Sequence, residues 1–380
     1  MNGIDFGRVA VLVVFVFNGL LMLSLIVGKG VHRRRIKSHE RRRVAYLTLL
    51  SRQLAAPDRS VEMGSSIAGD PAFLDALIDI RTSVVGSESD ELSWIVGRHG
   101  VMETYARRLE RRFPVTPRLN AAVALAEVAD ESWAPLLMDH LGDREPEIRI
   151  QAARGLARVK WTPAIDAIVE RFGVETPWVR TRFEDTLLTF GSKATWPLVA
   201  YVRVNHKFDS SGPAAAIRTI GRIGDRDAVQ SLIAILQSSQ DPEIQIAAIE
   251  ALGILGVPLA MPSLERTFLS DDWRLRAKTA TALAMIAERE AIPILTTGLE
   301  DPNWWVRRNS AAGLARHREG IRNLHKAIQS TDPFARDAAA EALADVGEVI
   351  AARERIDAGS ATVDDVELIR FIESELAVKA

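Results

Sequence analysis

The sequence predicts an all-α protein in which one N-terminal transmembrane helix precedes a stack of about eight helix pairs. Three observations lead to this prediction. The composition is 47% apolar with only 6% aromatic residues, and its many Ala and Leu residues favour helices over sheets. A stretch of 19 residues near the N-terminus contains no charge. Beyond it, one pattern of apolar residues returns about every 31 residues, which indicates a repeat protein.

The first element is the uncharged stretch, residues 9–27. A helix of this length spans about 28 Å, close to the thickness of the hydrocarbon core of a bilayer. A basic segment, 29–43, follows directly and carries a net charge of +7. Positive residues beside a membrane helix stay on the cytoplasmic side. We therefore expect 1–28 to be a single-pass anchor in the cell inner membrane, with its N-terminus outside and the repeat domain cytoplasmic.

Six arginines of the basic segment are the candidate topology residues: Arg33, Arg34, Arg35, Arg41, Arg42 and Arg43. Their simplest role is to fix the orientation of the anchor. The functional alternative is binding to anionic headgroups or to a partner. Residues 44–380 carry a net charge of −9, so we do not expect this body to bind nucleic acid non-specifically.

The repeats align on one apolar residue late in the second helix of each unit. Successive aligned residues lie 31, 31, 33, 32, 31, 31 and 29 positions apart. Each second helix is expected to begin after an acidic residue and often a proline, as at Asp241-Pro242, because both suit a helix start. Glycines such as Gly221 and Gly224 are expected near the helix ends. The aligned residues are Leu125, Leu156, Leu187, Ile220, Leu252, Leu283, Leu314 and Leu343.

The repeated units share an Ala-rich second helix with a conspicuous late leucine. Examples are EIRIQAARGLARV at 147–159, EIQIAAIEALGIL at 243–255, WRLRAKTATALAMI at 273–286 and DPFARDAAAEALADV at 332–346. These units resemble HEAT repeats, and their short period is similar to that of the subclass found in phycobilisome lyases. The resemblance covers 117–350 and implies a right-handed α-solenoid of stacked helix pairs. It implies no particular activity.

Two flanking regions complete the predicted organisation. Residues 351–380 are expected to form a C-terminal capping helix, and Thr362 and Asp365 have the spacing of a capping box with Asp in place of Glu. Residues 44–116 are expected to form an irregular, membrane-proximal helical cap. This cap contains three helical runs, at 44–56, 71–84 and 90–112.

The chain offers no evident constellation for catalysis or cofactor binding. It contains no cysteine, so disulfides and thiolate chemistry are excluded. Its seven histidines are scattered without a pair at metal-ligand spacing. Neither a phosphate-binding loop nor a nucleophile elbow is present. We therefore expect no enzymatic activity, no cofactor and no metal site.

Arginine recurs at one position near the start of the second helices. In HEAT repeats such an arginine pairs with an acid of the same or a neighbouring unit, and the resemblance implies this structural role here. The alternative is a basic ladder that grips a phosphate chain or an acidic partner. The series comprises Arg118, Arg149, Arg180, Arg276, Arg307 and Arg336, with Gln245 in one copy.

The candidate partner-binding residues are tryptophans at the start of second helices and two residues of the longest insertion. Aromatic side chains exposed in a row would anchor a protein partner, whereas packing between repeats is the structural alternative. The insertion, 202–212, is rich in turn-forming residues and could carry a specific contact. The candidates are Trp178, Trp273, Trp304, Trp305, His206 and Phe208.

The leading hypothesis is a membrane-anchored, non-catalytic scaffold that binds another protein, itself at the membrane, and neither nucleic acid nor metal. Single-pass HEAT proteins of similar appearance are associated with membrane glycosyltransferases and exopolysaccharide machinery, so the resemblance implies an accessory role there. The alternative is a HEAT-like enzyme similar to bilin lyases or DNA glycosylases. The acidic repeat body and the anchor disfavour the glycosylase.

Overall fold

The computed structural model describes residues 33–55, 69–84, 86–98, 100–110, 112–206, 210–286 and 289–379, together with Met22, Lys29 and Ile67. Throughout these residues the regular secondary structure is helical, without a β-strand. The all-α fold class is therefore confirmed. The chain divides into two compact units, 1–161 and 162–380.

The predicted transmembrane segment, 9–27, lies outside the described residues apart from Met22. Among the helices that are described, none is both long enough and apolar enough to cross a membrane. Helix α1, residues 33–55, has the length, but its first three turns contain seven arginine or lysine residues, whose desolvation in a bilayer is costly. The finding that no described helix can cross a membrane contradicts the predicted inner-membrane location, which is therefore wrong.

In the part of the first unit that the structure describes, six further α-helices follow α1. The run predicted at 90–112 is divided in the structure, because Gly100 adopts a left-handed conformation with φ of 65° and separates α3 from α4. Helix α5 packs against α2, α4 and α7. The helices are α2 (Pro71–Ser83), α3 (Ser87–Arg98), α4 (Val101–Leu109), α5 (Val115–Val128), α6 (Ala134–His140) and α7 (Pro146–Arg158).

Helix α1 runs across the predicted limit between the basic segment and the helical cap. Two of its arginines meet carboxylates of α2: Arg42 lies 2.8 Å from Asp70, and Arg43 lies 2.6 Å from Asp79. The His39 ring also contacts the Asp75 carboxylate at 2.7 Å. One face of the basic segment is therefore matched by acids 28 to 36 residues further along the chain.

The second unit continues the alternation of shorter first helices and longer second helices. Its first helices are α8 (Ala164–Glu170), α10 (Thr195–Asn205), α12 (Val229–Ser238), α14 (Met261–Phe268), α16 (Ala291–Thr297) and α18 (Arg318–Ile328). Its second helices are α9 (Pro177–Phe190), α11 (Ser211–Ile223), α13 (Pro242–Leu255), α15 (Trp273–Ile286), α17 (Trp304–Leu314) and α19 (Pro333–Asp345). Two C-terminal helices follow, α20 (Glu348–Asp357) and α21 (Val363–Lys379).

The second helices of this unit form one layer, because each packs against the next from α9 to α19. Each also packs on its own first helix, from α8 with α9 to α18 with α19. This nearest-neighbour stacking is that of an α-solenoid. The eight aligned apolar residues, from Leu125 to Leu343, all fall in second helices and are all 0% exposed. The predicted solenoid of stacked helix pairs is confirmed, and its right-handed sense stays a prediction.

Glycine and alanine bring neighbouring second helices unusually close together. An ideal Cβ added at Gly221 of α11 would lie 2.8 Å from the Cα of Ala251 on α13. A Cβ at Gly253 of α13 would lie 2.8 Å from the Cα of Ala282 on α15. Gly221 is therefore a packing residue inside α11, and the residue that ends this helix is Gly224, with φ of 79°.

The start of α21 is held by a reciprocal set of hydrogen bonds. The backbone N–H of Thr362 donates to Asp365 Oδ2 at 2.8 Å, and the backbone N–H of Asp365 donates to Thr362 Oγ1 at 3.3 Å. This is the capping box with Asp in place of Glu. Arg355 of α20 donates through Nε to the same carboxylate at 3.1 Å. Leu368 of α21 is 0% exposed, so the helix covers apolar surface at this end of the stack.

The Asp365 carboxylate gives the cap a pH dependence. The hydrogen bond from Arg355, aided by those from Thr362, outweighs burial and holds the pKa of Asp365 well below its usual range. The pKa of Asp365 in the folded state lies below the value of about 3.9 for an unfolded chain. The ionised carboxylate therefore stabilises the fold fully above about pH 3.9, and this contribution is lost as the pH falls towards the folded-state pKa. We expect Asp365→Asn to lower the midpoint of urea unfolding at pH 7. The difference in midpoint between the variant and the unsubstituted protein should become smaller below about pH 4. A difference in midpoint that stays constant down to pH 2, about two pH units below the unfolded pKa, would contradict this prediction.

Candidate partner-binding site

The start of each late second helix is fixed by a side-chain cap. The Asn303 side chain accepts a hydrogen bond from the Trp305 N–H at 2.9 Å, and the Asp332 side chain accepts one from the Phe334 N–H at 2.9 Å. Asp272 caps α15 in the same way through the Arg274 N–H, also at 2.9 Å. Such caps satisfy amides that would otherwise lack a partner. Aromatic residues at these positions are therefore attached to well-defined backbone.

Three consecutive repeats present aromatic side chains at this capped turn. Helices α15, α17 and α19 pack side by side in sequence order. Their starts adjoin, because Arg276 of α15 binds Asp301 just before α17, and Arg307 of α17 lies 4.9 Å from the ring centroid of Phe334 in α19. The four aromatic side chains at these starts are between 41% and 60% exposed. We call them the aromatic edge: Trp273, Trp304, Trp305 and Phe334.

The aromatic edge has internal contacts that limit its freedom. The Trp304 and Trp305 rings meet edge to face with their centroids 4.6 Å apart. The Arg308 guanidinium lies 5.3 Å from the Trp304 ring centroid, and Arg307 lies 4.9 Å from that of Phe334. Such aromatic and cation–π contacts orient the rings, yet the rings stay about half exposed. Repeat packing therefore does not bury them.

The other candidates do not join this edge. Trp178 is 51% exposed at the second position of α9, but the two intervening second helices begin without an aromatic residue. His206 is only half-buried after α10, and its Nδ1 lies 3.1 Å from the Val202 carbonyl oxygen. Phe208 lies outside the described residues. For Trp178, His206 and Phe208, the role in partner binding stays a prediction.

The repeated arginines stabilise the turns from within. Arg276, Arg307 and Arg336 each donate through Nη1 to the carbonyl oxygen six residues earlier, at 2.8, 2.7 and 3.0 Å. Arg149 donates to the Asp143 carbonyl oxygen in the same way, and Arg180 donates to the Glu175 carbonyl oxygen five residues earlier. The arginine thus closes the turn between first and second helix. This geometry supports the structural role and not a basic ladder.

Two of the arginines also bind an acid 25 residues further along the chain. Arg118 contacts the Asp143 carboxylate, and both side chains are 0% exposed. Arg276 bonds both oxygens of Asp301, at 2.7 and 2.9 Å. Burial alone would raise the pKa of Asp301, but the bonds from Arg276 and from the Asn303 N–H hold it below its usual value. These pairs link successive repeats, as the resemblance implies.

Cations on the exposed side of the second helices are matched by carboxylates on a neighbouring helix. Arg222 lies 2.9 Å from Asp185, Lys278 lies 2.6 Å from Glu250, and Arg308 lies 3.1 Å from Glu341. A surface neutralised in this way offers few unpaired cations to a phosphate chain. In the part of the chain that the structure describes, no cluster of His, Asp or Glu has metal-binding geometry.

Phe334 is the member of the aromatic edge that sequence reasoning missed. It lies two residues before Arg336, as Trp305 lies two residues before Arg307. A search for any aromatic residue at that offset, rather than for tryptophan, would have found it. The candidate topology residues Arg33, Arg34, Arg35 and Arg41 are exposed on α1. Their role as topology residues stays a prediction.

The fold and this edge define a helical-repeat protein with a surface suited to protein contacts. A family model described as HEAT repeats matches residues 106–187, 203–284 and 266–319. These ranges cover more than half of the 380 residues, and the chain belongs to the HEAT-repeat family.

Curated relatives and solved structures show similarity over large parts of the chain. Phycocyanobilin lyase subunit beta of Thermosynechococcus vestitus is 26% identical over 191 residues, which span 45% of this chain and 88% of that protein. The same subunit of Pseudanabaena tenuis is 24% identical over 201 residues, which span 53% of this chain and 58% of that protein. The structure of importin beta is 17% identical, covers 79% of this chain and 40% of its own, and has a TM-score of 0.40.

Proposed function

We propose that this protein is a non-catalytic scaffold whose aromatic edge binds another protein. The observation that carries the proposal is the recurrence of exposed aromatic side chains on capped turns of three consecutive repeats. Tryptophan is enriched among the residues that dominate binding energy at protein interfaces. The caps and ring contacts hold these side chains in place before binding, which lowers the entropic cost of association.

The dimensions of the aromatic edge suit a short segment of a partner. Neighbouring helix axes lie about 8–10 Å apart, so three second helices extend the edge over about 20 Å. An extended segment of about six residues, or a helix of about 13, spans that distance. The matched ion pairs beside the edge favour recognition by apolar contact rather than by net charge.

The proposal is tested by cross-linking in cells. A photoreactive phenylalanine analogue at position 305 should give a covalent adduct with a discrete partner, which mass spectrometry identifies. The same analogue at Trp196, which is 53% exposed at the start of the first helix α10, is the matched control. The proposal would be contradicted by equal yields of adduct at both positions, or by the absence of an adduct at position 305 under every growth condition.

Replacing Trp304 and Trp305 with alanine should then weaken binding of the cross-linked partner by a factor of about 30 or more, because truncating such anchors costs about 2 kcal/mol or more. The thermal midpoint should change little, since both side chains are about half exposed. Trp196→Ala should leave the affinity unchanged. Titration of the purified partner against the unsubstituted protein and the two variants measures these effects.

A second candidate function rests on the similarity to phycocyanobilin lyase subunit beta. If the chain shares an activity with those proteins, it should bind phycocyanobilin, and the absorption spectrum of the pigment should shift on mixing with the purified protein. A spectrum that equals the sum of its components would remove this candidate. Neither a glycosyltransferase partner nor a glycosylase activity has a supporting observation in the described residues.

A further inference from the structure

The C-terminal cap exposes an apolar and acidic stripe on α20. Ile350 is 66% exposed, and Glu354 and Asp357 are exposed four and seven residues later, on the same helix face. Arg353 lies on the border of this face and is matched by Glu373 of α21 at 3.8 Å. We call Ile350, Glu354 and Asp357 the α20 stripe. One apolar and two acidic side chains therefore leave this face of α20 open to contact with another molecule.

A complementary stripe lies on α1. Lys37, Arg41 and Val44 are exposed on one face of the helix, and Val44 is 51% exposed. They turn away from α2, which α1 contacts instead through His39 and Arg43. Among the residues that the structure describes, no carboxylate forms an ion pair with Lys37 or Arg41, and the ion pairs of α1 involve His39, Arg42 and Arg43 instead. We call Lys37, Arg41 and Val44 the α1 stripe.

The two stripes match when the helices run antiparallel. Lys37 and Val44 are seven residues apart, as are Ile350 and Asp357, and seven residues of helix extend about 10 Å. With Val44 against Ile350, Lys37 lies opposite Asp357 and Arg41 lies opposite Glu354. The segments around the two stripes also have opposite net charges, +7 for 29–43 and −6 for 341–380. Such complementarity favours encounter and fixes register.

We infer that the α1 stripe of one copy of this chain docks on the α20 stripe of a second copy. The contact joins different surfaces of the two copies and is therefore heterologous, so it builds head-to-tail chains or closed rings rather than a symmetric pair. The inference is independent of the aromatic edge, which contributes no residue to either stripe.

The inference is tested by sedimentation velocity on the purified full chain. Association should rise with protein concentration and weaken between 50 and 500 mM salt, because the contact is largely ionic. Arg41→Glu and Glu354→Arg should each weaken self-association at least tenfold, since each places like charges opposite each other. Arg35→Glu makes the same change in charge on another face of α1 and should leave association unchanged.

Restoration by charge exchange separates a direct contact from damage to the fold. A chain carrying both Arg41→Glu and Glu354→Arg should associate again, and so should an equimolar mixture of the two single variants, because each mixed contact pairs opposite charges. A chain that is monomeric at every concentration and salt would overturn the inference. Single variants that associate like the unsubstituted protein would also overturn the inference. The same holds for a double variant that remains monomeric although its circular dichroism spectrum is that of the native fold.

Discussion

Asp143→Ala should lower the free energy of unfolding by about 3–5 kcal/mol, because it leaves a buried guanidinium without its carboxylate. Arg118 is among the largest fully buried side chains, and its contact with Asp143 joins two 0% exposed groups. The remaining bond from Arg118 Nε to the Leu109 carbonyl oxygen, at 3.1 Å, does not balance the charge. Urea unfolding followed by circular dichroism measures the loss.

The double replacement Arg118→Met with Asp143→Leu provides the matched control. It removes both charges while keeping apolar volume, so it should be less destabilising than Asp143→Ala alone. Glu319→Ala breaks an exposed contact with Arg289 and should leave the unfolding free energy nearly unchanged. An Asp143→Ala variant that unfolds like the unsubstituted protein would show that Arg118 has another counter-charge.

Gly253→Ala should cost about 1–3 kcal/mol, although alanine is the better helix former, because the added methyl overpacks a filled contact. The new Cβ would lie 2.8 Å from the Cα of Ala282, and backbone atoms cannot yield as a flexible side chain can. The two helices must then move apart, which weakens their packing along the contact. Thermal unfolding of the two proteins gives the comparison.

Gly97→Ala is the matched control for that substitution. Gly97 also lies in a helix, α3, but nothing is within 4 Å of its ideal Cβ. The same methyl should therefore leave stability unchanged or raise it by a few tenths of a kcal/mol. Should both variants shift the melting temperature in the same direction, close helix contact would not be the cause of the Gly253 effect.

Much of the solenoid was predictable because each repeat carries its own local signals. The aligned residues from Leu125 to Leu343 all fall in second helices, since their spacing agrees with caps or prolines at the start of most of these helices. Gly100 and Gly221 were harder to interpret. A glycine that breaks a helix and a glycine that admits a neighbouring helix look alike in sequence, and only the surrounding packing separates them.

Contacts between distant segments were not predictable in the same way. Arg43 and Asp79 are 36 residues apart, and no periodicity links them, so the sequence does not indicate that acids of the same chain match the basic segment. The arginine series was easier because the family resemblance implied its acid partners. For the tryptophans, sequence position indicated the helix start, but only the structure shows that Trp273, Trp304 and Trp305 stay about half exposed.

The arginine that closes each turn bears on how such a chain could grow. Its bond reaches only five or six residues back, as from Arg180 to Glu175 and from Arg307 to Asp301, so a duplicated segment that contains the whole turn also contains both bonded residues. The bonds between Arg276 and Asp301 span 25 residues and would be cut by some excisions. A turn therefore keeps its arginine bond in any segment that contains the whole turn, whereas the bonds from Arg276 to Asp301 join one repeat to the next.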